Sequence, residues 1–118
     1  MIYTSYYAHV RNMNDNKFKF IAISNSVPYW FEKPLIRERQ LAPVWESVVE
    51  YRSTKDRNAF RAKYLAGIDN LVSVLSKIEM AAEAEGKIPV LLCYEADADV
   101  CHRGFLIEAY PGRVVEMV

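Results

Sequence analysis

The chain is short of most features that reveal a function early. It has two cysteines, two histidines, four glycines and no excess of either charge, with fifteen basic and fifteen acidic residues among 118. Two cysteines exclude a disulfide scaffold, and the length suffices to bury a core without staples. The charge balance excludes broad electrostatic capture of nucleic acid or of a membrane surface, leaving only a local patch. No apolar run approaches the roughly 20 residues of a membrane span. The first seven residues hold no basic segment followed by an apolar one. No export signal is read, so the expected compartment is the cytoplasm, where thiols stay reduced. Repeats, low-complexity tracts and linkers are also missing, and residues 1–118 are expected to form a single α/β domain.

What is present is a clear order of apolar segments. Residues 2–7 are β-branched and aromatic, and 18–24 are almost continuously apolar after Lys19, so both read as strands. Residues 11–17, rich in asparagine, read as a turn. Residues 25–42 have no period and hold Tyr29-Trp30-Phe31, Arg37 and Arg39. A stretch of this kind is usually functional. Pro43 suits the first turn of a helix carrying Trp45, Val48, Val49 and Arg52. Asp56 suits the cap of a second helix, with Phe60 and Tyr64 one turn apart and Gly67 breaking it. Asp69 is the expected cap of a third, whose Leu71, Leu75, Ile78 and Ala82 form an apolar stripe that Gly86 ends. Residues 88–94 are a third strand. A last helix, capped by Asp97 or Asp99, runs to about Tyr110, and residues 113–118 alternate as a fourth strand. This order predicts a three-layer α/β fold, a mostly parallel sheet of about four strands with helices on both faces. Ligands of such sheets sit beyond the carboxyl ends of the strands, here near Ser5, Ser24 and Cys93.

The chemistry-bearing residues crowd into Leu91-Leu92-Cys93-Tyr94-Glu95-Ala96-Asp97-Ala98-Asp99-Val100-Cys101-His102-Arg103, which holds both cysteines and one of the two histidines. If Asp99 caps the last helix, Cys101, His102 and Arg103 fill its first turn. There, free N–H groups and the Arg103 fork suit phosphate or carboxylate. The rival reading has Arg103 pairing with Asp97, Asp99 or Glu95 and bracing the loop. A helix start with His102 and Arg103 alongside favours a Cys101 thiolate, the candidate nucleophile, while Asp97 and Asp99 oppose it. His102 is its candidate acid–base partner. Glu95 is a general acid or base, or else the carboxylate that orients His102 or Arg103. Cys93 closes an apolar run and reads as packing that also borders the pocket, with Ser5 and Ser24 lining it.

Two other uses of these residues fit less well. Zinc on Cys93, Cys101, His102 and His9 matches none of the common ligand spacings, and adjacent Cys101 and His102 fit one tetrahedral ion poorly, so no metal is expected. A Cys93–Cys101 redox pair needs α-carbons within roughly 7 Å. In the irregular segment, Trp30 with its neighbours reads as a stacking platform for a base or as a cap on the core, and Arg37 and Arg39 as phosphate contacts or solvated charges.

The same residues carry a resemblance. Residues 2–7 (Ile-Tyr-Thr-Ser-Tyr-Tyr), 23–31 (Ile-Ser-Asn-Ser-Val-Pro-Tyr-Trp-Phe), Leu41-Ala42-Pro43 and above all Leu91-Leu92-Cys93-Tyr94-Glu95 followed by Cys101-His102-Arg103 resemble the domain of unknown function 488 (DUF488) family over nearly the whole chain. The resemblance implies a small cytoplasmic α/β protein of bacterial or phage type. It maps the family's Cys, Glu and Cys-His-Arg pattern onto Cys93, Glu95, Cys101, His102 and Arg103. It also implies a basic residue soon after the serine that ends the second strand. Here Asn25 follows Ser24 and the nearest basic residue is Lys33, so if that position touches an anion, this chain is expected either to bind it more weakly or to use Arg37 or Arg39.

Two functions follow. The first is an enzyme acting on a small anionic ligand, phosphorylated or otherwise anionic, with a nucleotide or nucleic-acid component as the candidate, held by Arg103 and helix amides and attacked by Cys101. The second is a non-catalytic module binding a nucleotide, nucleic acid or protein through the same surface. No motif names a cofactor, and no membrane partner is expected.

Overall fold

β-Branched and aromatic residues at both ends of the chain, and the apolar run between, build one five-stranded sheet. In the computed structural model, which describes residues 1–13 and 16–117, the strands are β1 (Ile2–Tyr6), β2 (Phe18–Ala22), β3 (Leu35–Arg37), β4 (Ile88–Cys93) and β5 (Val114–Glu116). All pairings are parallel, in the order β3-β2-β4-β1-β5. The sheet has five strands where about four are expected, because the three-residue β3 sits inside the aperiodic segment and is too short to show a period. Asn14 and Asp15 of the expected turn, and Val118 of the expected last strand, lie outside the described residues.

The helices are α1 (Tyr7–Val10), α2 (Trp45–Thr54), α3 (Arg57–Ala66), α4 (Leu71–Ala84) and α5 (Arg103–Ala109). α1 was not expected: Tyr7 leaves the strand and turns into a single helical turn. Asp56 caps α3 through Ala59 N as its spacing predicts. α4 is capped by Asn70, one residue after the expected Asp69, and the chain leaves it through Gly86 at φ +66°. None is long and apolar enough to cross a membrane among the described residues.

The two faces of the sheet are covered differently. Ile2, Ile21, Ile23, Leu91, Cys93 and Val114 pack against α3, α4 and α5 through Phe60, Tyr64, Leu75, Ile78, Phe105 and Leu106. Tyr7, Phe20, Ala22, Val90 and Leu92 pack on the other face against Val10 of α1 and the irregular segment's Phe31, Trp30 and Val27. Right-handed crossovers explain this split. β1→β2→β3 moves toward one edge, while β3→β4→β5 moves back toward the other, so their connections fall on opposite faces. β4 therefore lies between two strands whose chains depart to the opposite side. A crevice at the carboxyl end of β4 is the expected ligand position.

Candidate functional site

β4 places Cys93 at that position. Its backbone pairs with Tyr6 of β1, and Ile23 N bonds to Leu92 O beside it, so the residue is flanked by strands on both sides. Cys93 is fully buried, and Cys101 Sγ stands 2.7 Å from its sulfur. That separation is well inside the non-bonded contact distance of two sulfurs. The eight-residue return from Cys93 to Cys101 is tightly tied. Asp97 caps a short 3-10 turn (Ala98–Val100) through Asp99 N at 2.9 Å, and Cys101 N bonds to Ala98 O. Gly104 lets this turn lie against α5: a Cβ there would fall 2.3 Å from Ala98 O.

The helix start differs from expectation. Neither Asp97 nor Asp99 caps α5. Cys101 lies ahead of the helix, His102 is its N-cap residue and Arg103 its first residue. The amides of Gly104 and Phe105 donate to the carbonyls of Cys101 and His102 at 3.0 Å each. These two amides are taken up by the preceding turn, and the helix is only seven residues long.

Arg103 is wholly buried and spends all five N–H donors inside the protein. Nε and Nη2 grip the Glu116 carboxylate at 3.0 and 2.9 Å. Nη1 reaches Glu95 O at 2.6 Å and Cys93 Sγ at 3.5 Å, and Nη2 reaches Ala96 O at 3.0 Å. The bracing reading thus describes Arg103, but with Glu116 as its carboxylate, a residue the sequence did not single out. The anion-holding role has no donor left to serve it. Arg57 of α3 ties the loop from the other side, donating to Asp99 O at 2.8 Å and pairing with Glu108.

His102 donates from Nε2 to Ile23 O at 2.6 Å, because a carbonyl can only accept. In the neutral ring Nδ1 is therefore an acceptor, and it faces Cys101 Sγ at 3.7 Å. The orienting groups are the Ile23 carbonyl for His102 and Glu116 for Arg103, rather than the Glu95 carboxylate. Glu95 stands exposed on the loop and contributes its carbonyl to Arg103.

The two thiols are driven apart in acidity. Burial pushes Cys93 upward, but the Cys101 hydrogen bond and the nearby Arg103 charge outweigh it and hold the thiol below its ordinary range. Burial and the bond to Cys93 push Cys101 well above that range. The thiolate expected at Cys101 is thus favoured at Cys93 instead, with Cys101 as the proton donor to it. This reversal was beyond the sequence, because Arg103 reaches back across the loop to the strand end instead of acting on its chain neighbour.

Above the sulfurs opens a cavity of about 390 Å³. Cys93, Cys101 and His102 form its floor, and Ser24, Asn25, Ser26, Tyr94 and Glu95 one side. Trp45, Val48, Tyr51 and Phe60 form an apolar wall, with Arg52 and Lys55 at the rim. An adjoining hollow shares Ser24, Asn25 and Pro43 and adds Arg37 and Arg39. Two cations, Arg52 and Lys55, thus line the cavity together with one carboxylate, Glu95, and two more, Arg37 and Arg39, line the adjoining hollow. Ser24 is held by Tyr7, whose hydroxyl donates at 2.6 Å, and in turn donates to Ser26 O. Ser5 does not line this cavity. It is buried on β1 and bonded to His9 Nδ1 at 2.7 Å. Trp30 and Phe31 pack on the core, while Tyr29 is exposed.

The ligand atoms of Cys93, Cys101 and His102 lie within 4.8 Å of one another, so the three could hold a metal ion. Adjacent Cys101 and His102 are no obstacle, since their 3.7 Å separation suits one edge of a zinc tetrahedron. The sulfurs would have to part, because the S–S edge around zinc is about 3.8 Å. His9 lies with Ser5, outside this group.

Residues 23–110 match the family model DUF488-N3a, described as the active DUF488-N3 subclade. That span covers the whole floor of the cavity and its basic rim. Ser5 and Glu116 fall outside it. No curated protein and no solved structure gave a match.

Proposed function

The chain belongs to the DUF488 family, and on that premise we propose that it is a thiol enzyme, with Cys93 as nucleophile, acting on a small organic anion. One observation carries this reading: Cys93 Sγ receives Arg103 Nη1 at 3.5 Å and lies 2.7 Å from Cys101 Sγ, so its charged form is the stabilised one. Cys101 supplies a proton to that sulfur, and His102 Nδ1 supplies the base behind Cys101. Glu95, exposed at the cavity mouth, is the candidate acid toward a leaving group. A subclade described as active accords with catalysis.

The substrate class follows from the walls. Trp45 and Tyr51 suit an apolar or aromatic body. Arg52 and Lys55, with Arg37 and Arg39 beyond Ser24, suit a phosphate or carboxylate. A nucleotide or a nucleic-acid component combines both features. With a neutral overall balance, this reading rests on the local cations rather than on the charge of the molecule as a whole.

The burial of both sulfurs favours a second reading, a module that binds the same anion without chemistry. The rate of Cys93 alkylation by iodoacetamide, followed against pH by peptide mass spectrometry, separates the two. The enzyme reading expects a midpoint well under the roughly 8.5 of a free thiol. A Cys93 that stays unreactive up to the alkaline range would remove the nucleophile and leave the binding module.

A further inference from the structure

Two free thiols are held face to face beneath a cavity. Cys93 ends a central strand, and Cys101 ends a short loop whose turn is fixed by Asp97 and Arg57. Their sulfurs, at 2.7 Å, are well inside non-bonded contact and within about 1 Å of the roughly 2.05 Å of a covalent bond. We propose that Cys93 and Cys101 are a redox modification site, closing a reversible intrachain disulfide when the protein meets a hydroperoxide. This rests on the reading of Cys93 as the nucleophilic thiol.

The chemistry balances on the residues present. The Cys93 thiolate attacks one oxygen of the hydroperoxide. An S–O bond forms and the O–O bond breaks. Sulfur loses two electrons to the peroxide, and the departing oxygen leaves as water or alcohol after taking a proton. Cys101 then attacks the sulfenic sulfur, so the S–S bond forms and the S–O bond breaks. Its thiol proton passes to His102 Nδ1, at 3.7 Å, and on to the departing hydroxide, which leaves as water. A dithiol reductant reverses the closure by two exchanges. The cavity has room for a molecule as small as hydrogen peroxide next to the sulfurs. The closed form has no thiolate, so it is inactive, and the bond shields Cys93 from the irreversible sulfinic and sulfonic acids.

The test uses the full chain, reduced and freed of reductant, then treated with equimolar hydrogen peroxide. Intact mass and non-reducing peptide mapping are expected to show loss of two hydrogens and a Cys93–Cys101 cross-linked peptide, both reversed by dithiothreitol. Under the same treatment Cys101→Ser is expected to stop at one added oxygen on Cys93, the sulfenic acid, and in excess peroxide to gain two or three where the wild-type protein only cross-links. The proposal is overturned if the wild-type protein keeps two alkylatable thiols, or if it too accumulates sulfinic acid at Cys93. Cys93 that alkylates with a low midpoint but never cross-links would remove this inference alone. Cys93 that is inert to both reagents would remove the thiol enzyme as well.

Discussion

Arg103 Nη1 points at Cys93 Sγ across 3.5 Å, from a guanidinium whose remaining donors are fixed by Glu95, Ala96 and Glu116. Fully buried, the residue acts in the proposed reading by positioning and by setting the charge on Cys93. Arg103→Lys keeps the charge but loses the fork, so it is expected to raise the alkylation midpoint of Cys93 toward that of a free thiol. The stability loss, read by urea unfolding, should be about 3 kcal/mol. An unchanged midpoint in a folded variant would assign the acidity of Cys93 to Cys101 alone.

Glu116 is the counterpart. Glu116→Gln leaves a fully buried guanidinium without its carboxylate, and the expected cost is about 3 kcal/mol by denaturant unfolding. The conservative Glu116→Asp should recover part of this. It is too short to hold both Nε and Nη2.

Gly104 is where a single methyl should matter. Gly104→Ala sets a Cβ 2.3 Å from the Ala98 carbonyl, a backbone atom that cannot move without moving Cys101. The expected loss is about 2 kcal/mol, and the peroxide-induced cross-link should slow. Thermal unfolding and non-reducing peptide mapping read the two effects separately.

At high pH the tyrosines give a signed prediction. Burial pushes Tyr7 up to about 12, and burial pushes Tyr64 well above its ordinary value. Both acids are neutral in the fold and ionise more easily when unfolded. Their contribution is fully present below the unfolded value of roughly 10 and is lost as pH rises through the folded values. Of the eight tyrosines, these two should ionise last in an ultraviolet titration, together with unfolding. Tyr7→Phe should flatten the alkaline fall while costing about 1 kcal/mol at neutral pH for the lost Ser24 bond.

The rim cations should govern affinity. With a nucleoside monophosphate as probe, calorimetric titration of Arg52→Ala combined with Arg37→Ala is expected to weaken binding by about tenfold. Added salt should erode the wild-type advantage. Affinity that ignores both changes would exclude these arginines as the anion's partners.

What the sequence disclosed is what local pattern encodes. The stripe Leu71, Leu75, Ile78 and Ala82, the Asp56 cap and the apolar run into Cys93 are contiguous signals, and each element forms close to where it was expected. β3 and α1 are too short to carry a period. The site itself depends on contacts between distant segments. Glu116 meets Arg103 only because β5 runs beside β1, and His102 is fixed by Ile23, seventy-nine positions away. The short reach from Cys93 to Cys101 was a requirement that spacing alone could not meet or refuse. Asp97 does cap a turn, but a 3-10 turn ahead of the helix, because Gly104 admits the Ala98 carbonyl so closely.

The sheet order has a consequence for how the molecule comes into being. β4 lies between β2 and β1, yet it is made more than sixty residues after β2. Until it emerges from the ribosome, β1 and β2 each present an unpaired inner edge, which is a hazard for intermolecular strand pairing. Inserting β4 must close long chain loops, so folding should be slow for a protein of this size. That insertion also places Cys93 between its neighbours and brings Cys101 and Arg103 to it. The two sulfurs and Arg103 thus meet only once β4 is in place, so on the proposed reading the nascent chain has no activated thiol before that insertion.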